Sequence, residues 1–205
     1  GARAGMESGG ARKRIEGWKA YRQHLRELMG QETKFTQNLY DTARMNPKRV
    51  VFAEGTHPTM LEAAVKAKAE GICHPVLLGN EDQIRHMAEE MDLKISDIEI
   101  LNLRNDDQTD RRRRYAEILA NKMQRKGYTL QEAIDKMYER NYFGMMMVET
   151  GEADAFITGL YTKYSNTIKV ANEVIGIREG YNHFATMHLV NSKKGIYFIA
   201  DTLIN

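Results

Sequence analysis

Between residues 49 and 101, short apolar runs alternate with helical patterns at close spacing, and this alternation constrains the fold more than any other feature. Residues 49–53 form a Val/Phe-rich run. Glu54-Gly55-Thr56-His57 then turns the chain into a helical pattern with Pro58 in its first turn, where a missing N–H costs nothing. Met60, Leu61, Ala64, Val65 and Ala67 line that helix, and Gly71 can take a left-handed cap after it. Residues 75–78 read as a second strand, 80–91 as a second helix and 98–101 as a third strand. Strands joined by helical crossovers run parallel, and a parallel sheet needs helices on its faces. The predicted class is therefore α/β, a three-layer αβα arrangement around a mostly parallel sheet.

Helical spacing also marks 18–29, through Trp18, Tyr21 and Leu25, and 35–45, through Phe35, Leu39, Tyr40 and Ala43. Asn46-Pro47 ends the second of these, because a residue before proline avoids the α region. Residues 105–140 are helical with a break at Gly127, after which Thr129 and Glu132 have the spacing of a capping box. An apolar helix follows over 142–150, then a strand over 155–158 and a helix over 167–175. Two strands, 184–190 and 196–200, are joined closely enough to pair antiparallel. The methionines of "FGMMMVETG" sit at helical spacing among apolar neighbours and read as core.

Composition removes several function classes. The net charge is +2 and no basic-aromatic motif is present, so nucleic acid is not expected as a partner. No run of about 18 apolar residues exists, so no membrane span is expected. The single cysteine, Cys73, fits a reducing compartment, and the Gly/Ala/Arg/Lys-rich start lacks the apolar run of a secretory signal. A cytoplasmic location is expected. The histidines show no metal-binding spacing: His57 reads as an N-cap or surface residue, and His183 and His188 fall on opposite faces of a strand region. In "DRRRRYAEI" the consecutive arginines fan around a helix, so they are expected to be solvated and paired with Asp106, Asp107 and Glu117.

Two turns could hold a ligand. The turn after residue 53 has one glycine but neither GxGxxG nor GxxxxGK[ST], so its glycine reads as turn geometry. In "DAFITGLYTKYSNTIKVA" a strand ends at Gly159, and Thr162, Lys163, Tyr164, Ser165 and Asn166 precede a helix. Ligands of open α/β sheets lie beyond the carboxyl ends of strands. Hydroxyls, an amide and the cations Lys163 and Lys169 suit a phosphate there. Equally, Ser165 or Asn166 could simply cap the helix.

The stretches "NPKRVVFAEGTHPTMLEAAVKAKAEGICHPVLLGN", "RKGYTLQEAIDKMYERNYFGMMMVETGEADAFITG" and "GIYFIADTLIN" resemble the phosphotransacetylase (phosphate acetyl/butyryltransferase) family, in order from about 31 to 205. The preceding "AGMESGGARKRIEGWKAYRQHLRELMG" is similar to the junction in large bacterial NADP-dependent malic enzymes. The resemblance implies a two-lobed α/β fold with the acyl-CoA cleft between the lobes and the second lobe truncated. It divides the chain into a junction over 1–30, a first lobe over 31–178 and the start of a second lobe over 179–205.

The family's catalytic turn reads Ser/Thr-x-Asp-Thr-x-Arg. Here Tyr164-Ser165-Asn166-Thr167-Ile168-Lys169 keeps the threonine, but Asn166 cannot act as a base and Lys169 lacks the guanidinium fork. The family's other catalytic segment lies beyond the point matching Asn205. The resemblance thus implies no catalytic residue and no metal ligand in this chain, with NADP and a divalent metal confined to the malic enzyme unit. It implies instead an acetyl-CoA-sensing and homo-oligomer-forming module whose ligand contacts are Gly159, Thr162, Lys163, Ser165, Asn166, Thr167 and Lys169. Rival readings are an active phosphate acetyltransferase and a purely structural assembly domain. A sheet edge left open at 184–200 is expected to be a dimer contact or an aggregation risk.

Overall fold

Val50, Val51 and Phe52 lie in β1 (Lys48–Phe52), a central strand whose successive side chains enter two different cores. A computed structural model describes residues 34–192 and 195–200, with Gly17, Trp18 and Tyr21 besides. The chain divides into two units, 1–47 and 48–205. In the first, α1 (Lys34–Met45) matches the expected helix and stops ahead of Pro47. The helix expected over 18–29 lies outside the described residues apart from Trp18 and Tyr21.

In the second unit, β1, β2 (Cys73–Leu78), β3 (Glu99–Leu101) and β4 (Ala155–Ile157) form one parallel sheet in the order β3-β2-β1-β4. Val51 pairs with Val76 on one side and Phe156 on the other. On one face, Phe52 and Leu77 pack with Met60, Leu61 and Ala64 of α2 (Pro58–Ala69) and with Ile84 and Ala88 of α3 (Glu81–Glu90). On the other, Val51, Val76 and Leu78 pack with Tyr115 and Leu119 of α4 (Thr109–Met123), and with Phe143, Met146 and Met147 of α6 (Arg140–Glu149). The three layers are those predicted. Side-chain alternation along each strand forces them, since both faces of these strands are apolar.

The expected helical span 105–140 is broken into pieces. A 3-10 turn (Asp106–Gln108) leads into α4, and a second (Gln124–Lys126) ends at Gly127, whose φ of 81° is left-handed. α5 (Leu130–Lys136) opens on the predicted capping box: Glu132 N donates to Thr129 Oγ1, and Thr129 N donates to Glu132 Oε2 at 2.8 Å. Residues 141–147 of α6 are buried on every side, so its methionines are core.

Four local readings need correction. Arg112 is only 5% exposed, so it is not part of a solvated arginine fan. Its guanidinium donates to the carbonyls of Leu103 and Asn105 and to Thr109 Oγ1, and it stacks 4.8 Å from the Tyr138 ring. Arg111 and Arg114 pair with Glu152, not with Asp106 or Asp107, while Arg113 meets Glu117 as expected. α7 (Tyr164–Val174) begins ahead of residue 167, because the Lys163 carbonyl already accepts from Asn166 N and Thr167 N. Ser165 and Asn166 therefore lie inside its first turn and do not cap it. Finally, β5 (Met187–Ser192) starts after 184, so His183 lies outside the strand and the opposite-face argument does not apply to it. β5 pairs antiparallel with β6 (Gly195–Ala200), as expected, and exposes Leu189, Val190, Ile196 and Phe198.

One close approach is testable. A Cβ at Gly144 would lie 2.2 Å from the Phe156 ring and 3.2 Å from Leu78 Cδ1. Gly144→Ala should gain about 1 kcal/mol of helix propensity yet lose about 1–3 kcal/mol to overpacking. Urea unfolding should show a net loss of stability.

Candidate functional site

β1 and β4 are neighbours, but the chain leaves β1 toward β2 and β3 on the far side. Their carboxyl ends therefore flank the point where the strand order reverses, where open α/β sheets leave a crevice. Glu54 follows β1 and is 2% exposed. Its Oε1 accepts from Thr158 Oγ1 at 2.9 Å and from Gly159 N at 3.1 Å, which ties the end of β4 to the end of β1. Thr158 Oγ1 also lies 3.1 Å from Asn141 Oδ1 in α6. Among the described residues, Glu54 Oε2 and Thr167 Oγ1 are buried with no hydrogen-bond partner.

Beyond this tie, Thr162, Asn166 and Lys169 line a cleft of 330 Å³. Asn166 and Lys169 share a helix face through their i, i+3 spacing. The opposite wall is the α5–α6 junction, with Lys136, Glu139, Arg140, Asn141 and Tyr142. Lys136 Nζ is 2.9 Å from Glu139 Oε1 and 5.0 Å from the Tyr142 ring centroid. The bond to Glu139 raises the Lys136 pKa above the ordinary lysine value, so this ammonium is a fixed charge. Among the described residues, Lys169 and Arg140 meet no carboxylate.

Below the cleft, Tyr142 and Tyr128 both donate to Glu173 Oε2, at 2.5 and 2.9 Å. Glu173 is 7% exposed. Burial first, and the Glu173 carboxylate second, push both phenols above their ordinary value, so they stay protonated donors. With cations, amides and a hydroxyl around one opening, the cleft suits an anion of phosphate type.

The predicted contacts divide. Thr162, Asn166 and Lys169 are brought together, whereas Gly159, Lys163, Ser165 and Thr167 do not line the cleft. Gly159 binds Glu54 through its amide, Lys163 is the N-cap of α7, and Ser165 is exposed. His57 caps α2 as expected, its Nδ1 accepting from Thr59 N at 3.2 Å. Glu54 and the α5–α6 junction carried no sequence motif. The available signal for Glu54 was its place directly after a run that buries Val51 and Ala53 completely. Among the described residues no group of three His, Cys, Asp or Glu side chains could hold a metal. None of their helices is long and apolar enough to cross a membrane.

Two outcomes test this geometry. Glu54→Ala leaves the Gly159 amide without its acceptor and the Thr158 hydroxyl with Asn141 Oδ1 alone, and should cost about 1–3 kcal/mol in urea unfolding. Raised phenol pKa values mean that the folded state keeps protons the unfolded chain releases near pH 10. Their contribution is full below that pH and declines above it. Urea midpoints should therefore fall from about pH 10 upward, and the fall should be shallower in Tyr142→Phe.

A family model described as phosphate acetyl/butaryl transferase matches residues 34–205. The chain is 34% identical over 208 residues to the NADP-dependent malic enzyme of Rhizobium meliloti, covering 100% of this chain and 27% of that protein. It is 32% identical over 175 residues to the phosphate acetyltransferase of Thermoanaerobacterium thermosaccharolyticum, covering 82% of this chain and 52% of that protein. It thus spans about a quarter to a half of these relatives. The fold is shared with a EutD phosphotransacetylase from Staphylococcus aureus, with a TM-score of 0.69 at 22% identity, covering 82% of this chain and 51% of that one.

Proposed function

We propose a function from one premise: the chain belongs to the phosphate acetyl/butaryl transferase family. Our reading is an acetyl-CoA-sensing and oligomer-forming module of a multidomain NADP-dependent malic enzyme, without acetyl-transfer activity of its own. The similarity to malic enzymes runs along 100% of this chain, including the residues ahead of the family match, which supports that parentage. Malate oxidation and the NADP and metal sites would belong to the rest of such a protein.

One observation carries the ligand assignment. Thr162, Asn166 and Lys169 face Arg140 and Lys136 across a single cleft. Lys169 supplies charge where the family places an arginine, and Asn166 supplies an amide where it places a carboxylate. An amide can hold a phosphoryl or carbonyl oxygen but cannot take a proton from a thiol. Binding without turnover is the combination these types allow. Gly159, Lys163, Ser165 and Thr167 would act by shaping the turn and helix start.

Calorimetric titration of the chain with acetyl-CoA tests this directly. Saturable binding is expected, and Lys169→Gln should weaken it about tenfold, as for loss of one charge-assisted contact. An absence of binding by the unsubstituted chain would sink the reading. Robust acetyl-CoA formation from acetyl phosphate and CoA would replace it with the transferase.

A further inference from the structure

The geometry points to a second anion site, at the carboxyl ends of β2 and β3, that we infer takes a small molecule bearing a diphosphate group. A cleft of 410 Å³ opens there, within the range of small-molecule pockets. Asn80 and Gln83 at the start of α3, Asn102 and Arg104 after β3, Tyr138 before α6 and Arg140 at its first position line it. This is a different opening from the one along α7, with Arg140 common to both.

The argument rests on where the guanidinium charges go. Arg49, Arg85, Arg111, Arg113 and Arg114 each meet a carboxylate, and Arg112 is committed to carbonyls. Arg104 and Arg140 meet none among the described residues, yet both line this one cleft. Two like charges facing one opening repel each other unless an anion lies between them. The Arg104 backbone is also fixed, since its N–H donates to Asn102 Oδ1 at 3.2 Å. Tyr138 is held in turn by the buried Arg112 stacked on its ring. Two forked donors and three side-chain amides on a held frame match the several oxygens of a diphosphate better than the single carboxylate of a simple acid.

Inorganic pyrophosphate is the probe, titrated calorimetrically into the chain at fixed ionic strength. Binding with a single dominant site is expected, weakened at least about tenfold in Arg104→Gln, the scale of one lost charged hydrogen bond. Arg104 is exposed and its guanidinium has no partner among the described residues, so the variant should keep the far-ultraviolet circular dichroism of the parent. Arg125, another unpaired guanidinium among the described residues, lies outside the cleft, and Arg125→Gln should bind pyrophosphate unchanged. Equal losses in Arg104→Gln and Arg125→Gln, or no loss in Arg104→Gln, would overturn the inference. Neither result depends on whether acetyl-CoA binds along α7.

Discussion

The buried carboxylate that follows β1 ties the turn into α7 to the sheet. β4 meets β1 along a short register, Val50 to Ala155 through Phe52 to Ile157, and then the backbone pairing stops. From that point Glu54 continues the connection with a side chain, accepting from Thr158 and Gly159. A hydrogen bond to a charged acceptor in a dry setting is stronger and more directional than one in water. The turn into α7 is thereby fixed relative to the sheet, and the positions of Thr162, Asn166 and Lys169 follow from that turn.

The opposite wall depends on packing rather than on polar contacts. α6 is buried all round and could not slide without opening cavities among Phe143, Met146, Met147 and Tyr115. Gly144 lets it approach Phe156 more closely than any side chain would permit. Its first turn then presents Arg140, Asn141 and Tyr142 at a fixed height above the sheet, with Tyr142 bonded to Glu173 of α7. Both cleft walls are therefore attached to one core. That is how a loop-built site gains the precision of a helix-built one.

The fold was legible because its signal is local. Apolar runs at 49–53 and 75–78, separated by a helix with a proline start and a glycine stop, can form little else than parallel βα units. The capping box at Thr129 and the methionine core of α6 were likewise readable from spacing. What escaped was long-range. Nothing near Arg112 in sequence says that Tyr138 and the carbonyl of Leu103 will enclose it. Glu54 looked like an ordinary loop acid until the topology set it against Thr158, far along the chain. The start of α7 was placed late because Ser165 and Asn166 are good caps by type. The chain instead turns at Lys163, where only the backbone supplies the cap. Four of the seven proposed contacts do not line the cleft: the Gly159 amide is engaged by Glu54, Lys163 is the N-cap, Ser165 is exposed elsewhere and the Thr167 hydroxyl is buried.

The occupancy of the acidic groups bears on the choice between holding a ligand and transforming it. A thiol-activating base needs a free acceptor within reach of the reacting atom. Glu139 lines the cleft, but its carboxylate is engaged by Lys136. Glu173 lies beneath, accepting from two tyrosines that burial keeps protonated. Glu54 holds the β4 turn with one oxygen and buries the other, and it does not line the cleft. Asn166 is an amide. Each described acid near the opening is thus either engaged or turned away from it, whereas the cations Arg140 and Lys169 remain available. Such a distribution is the physical basis of the proposal that this cleft recognises an anion without transforming it.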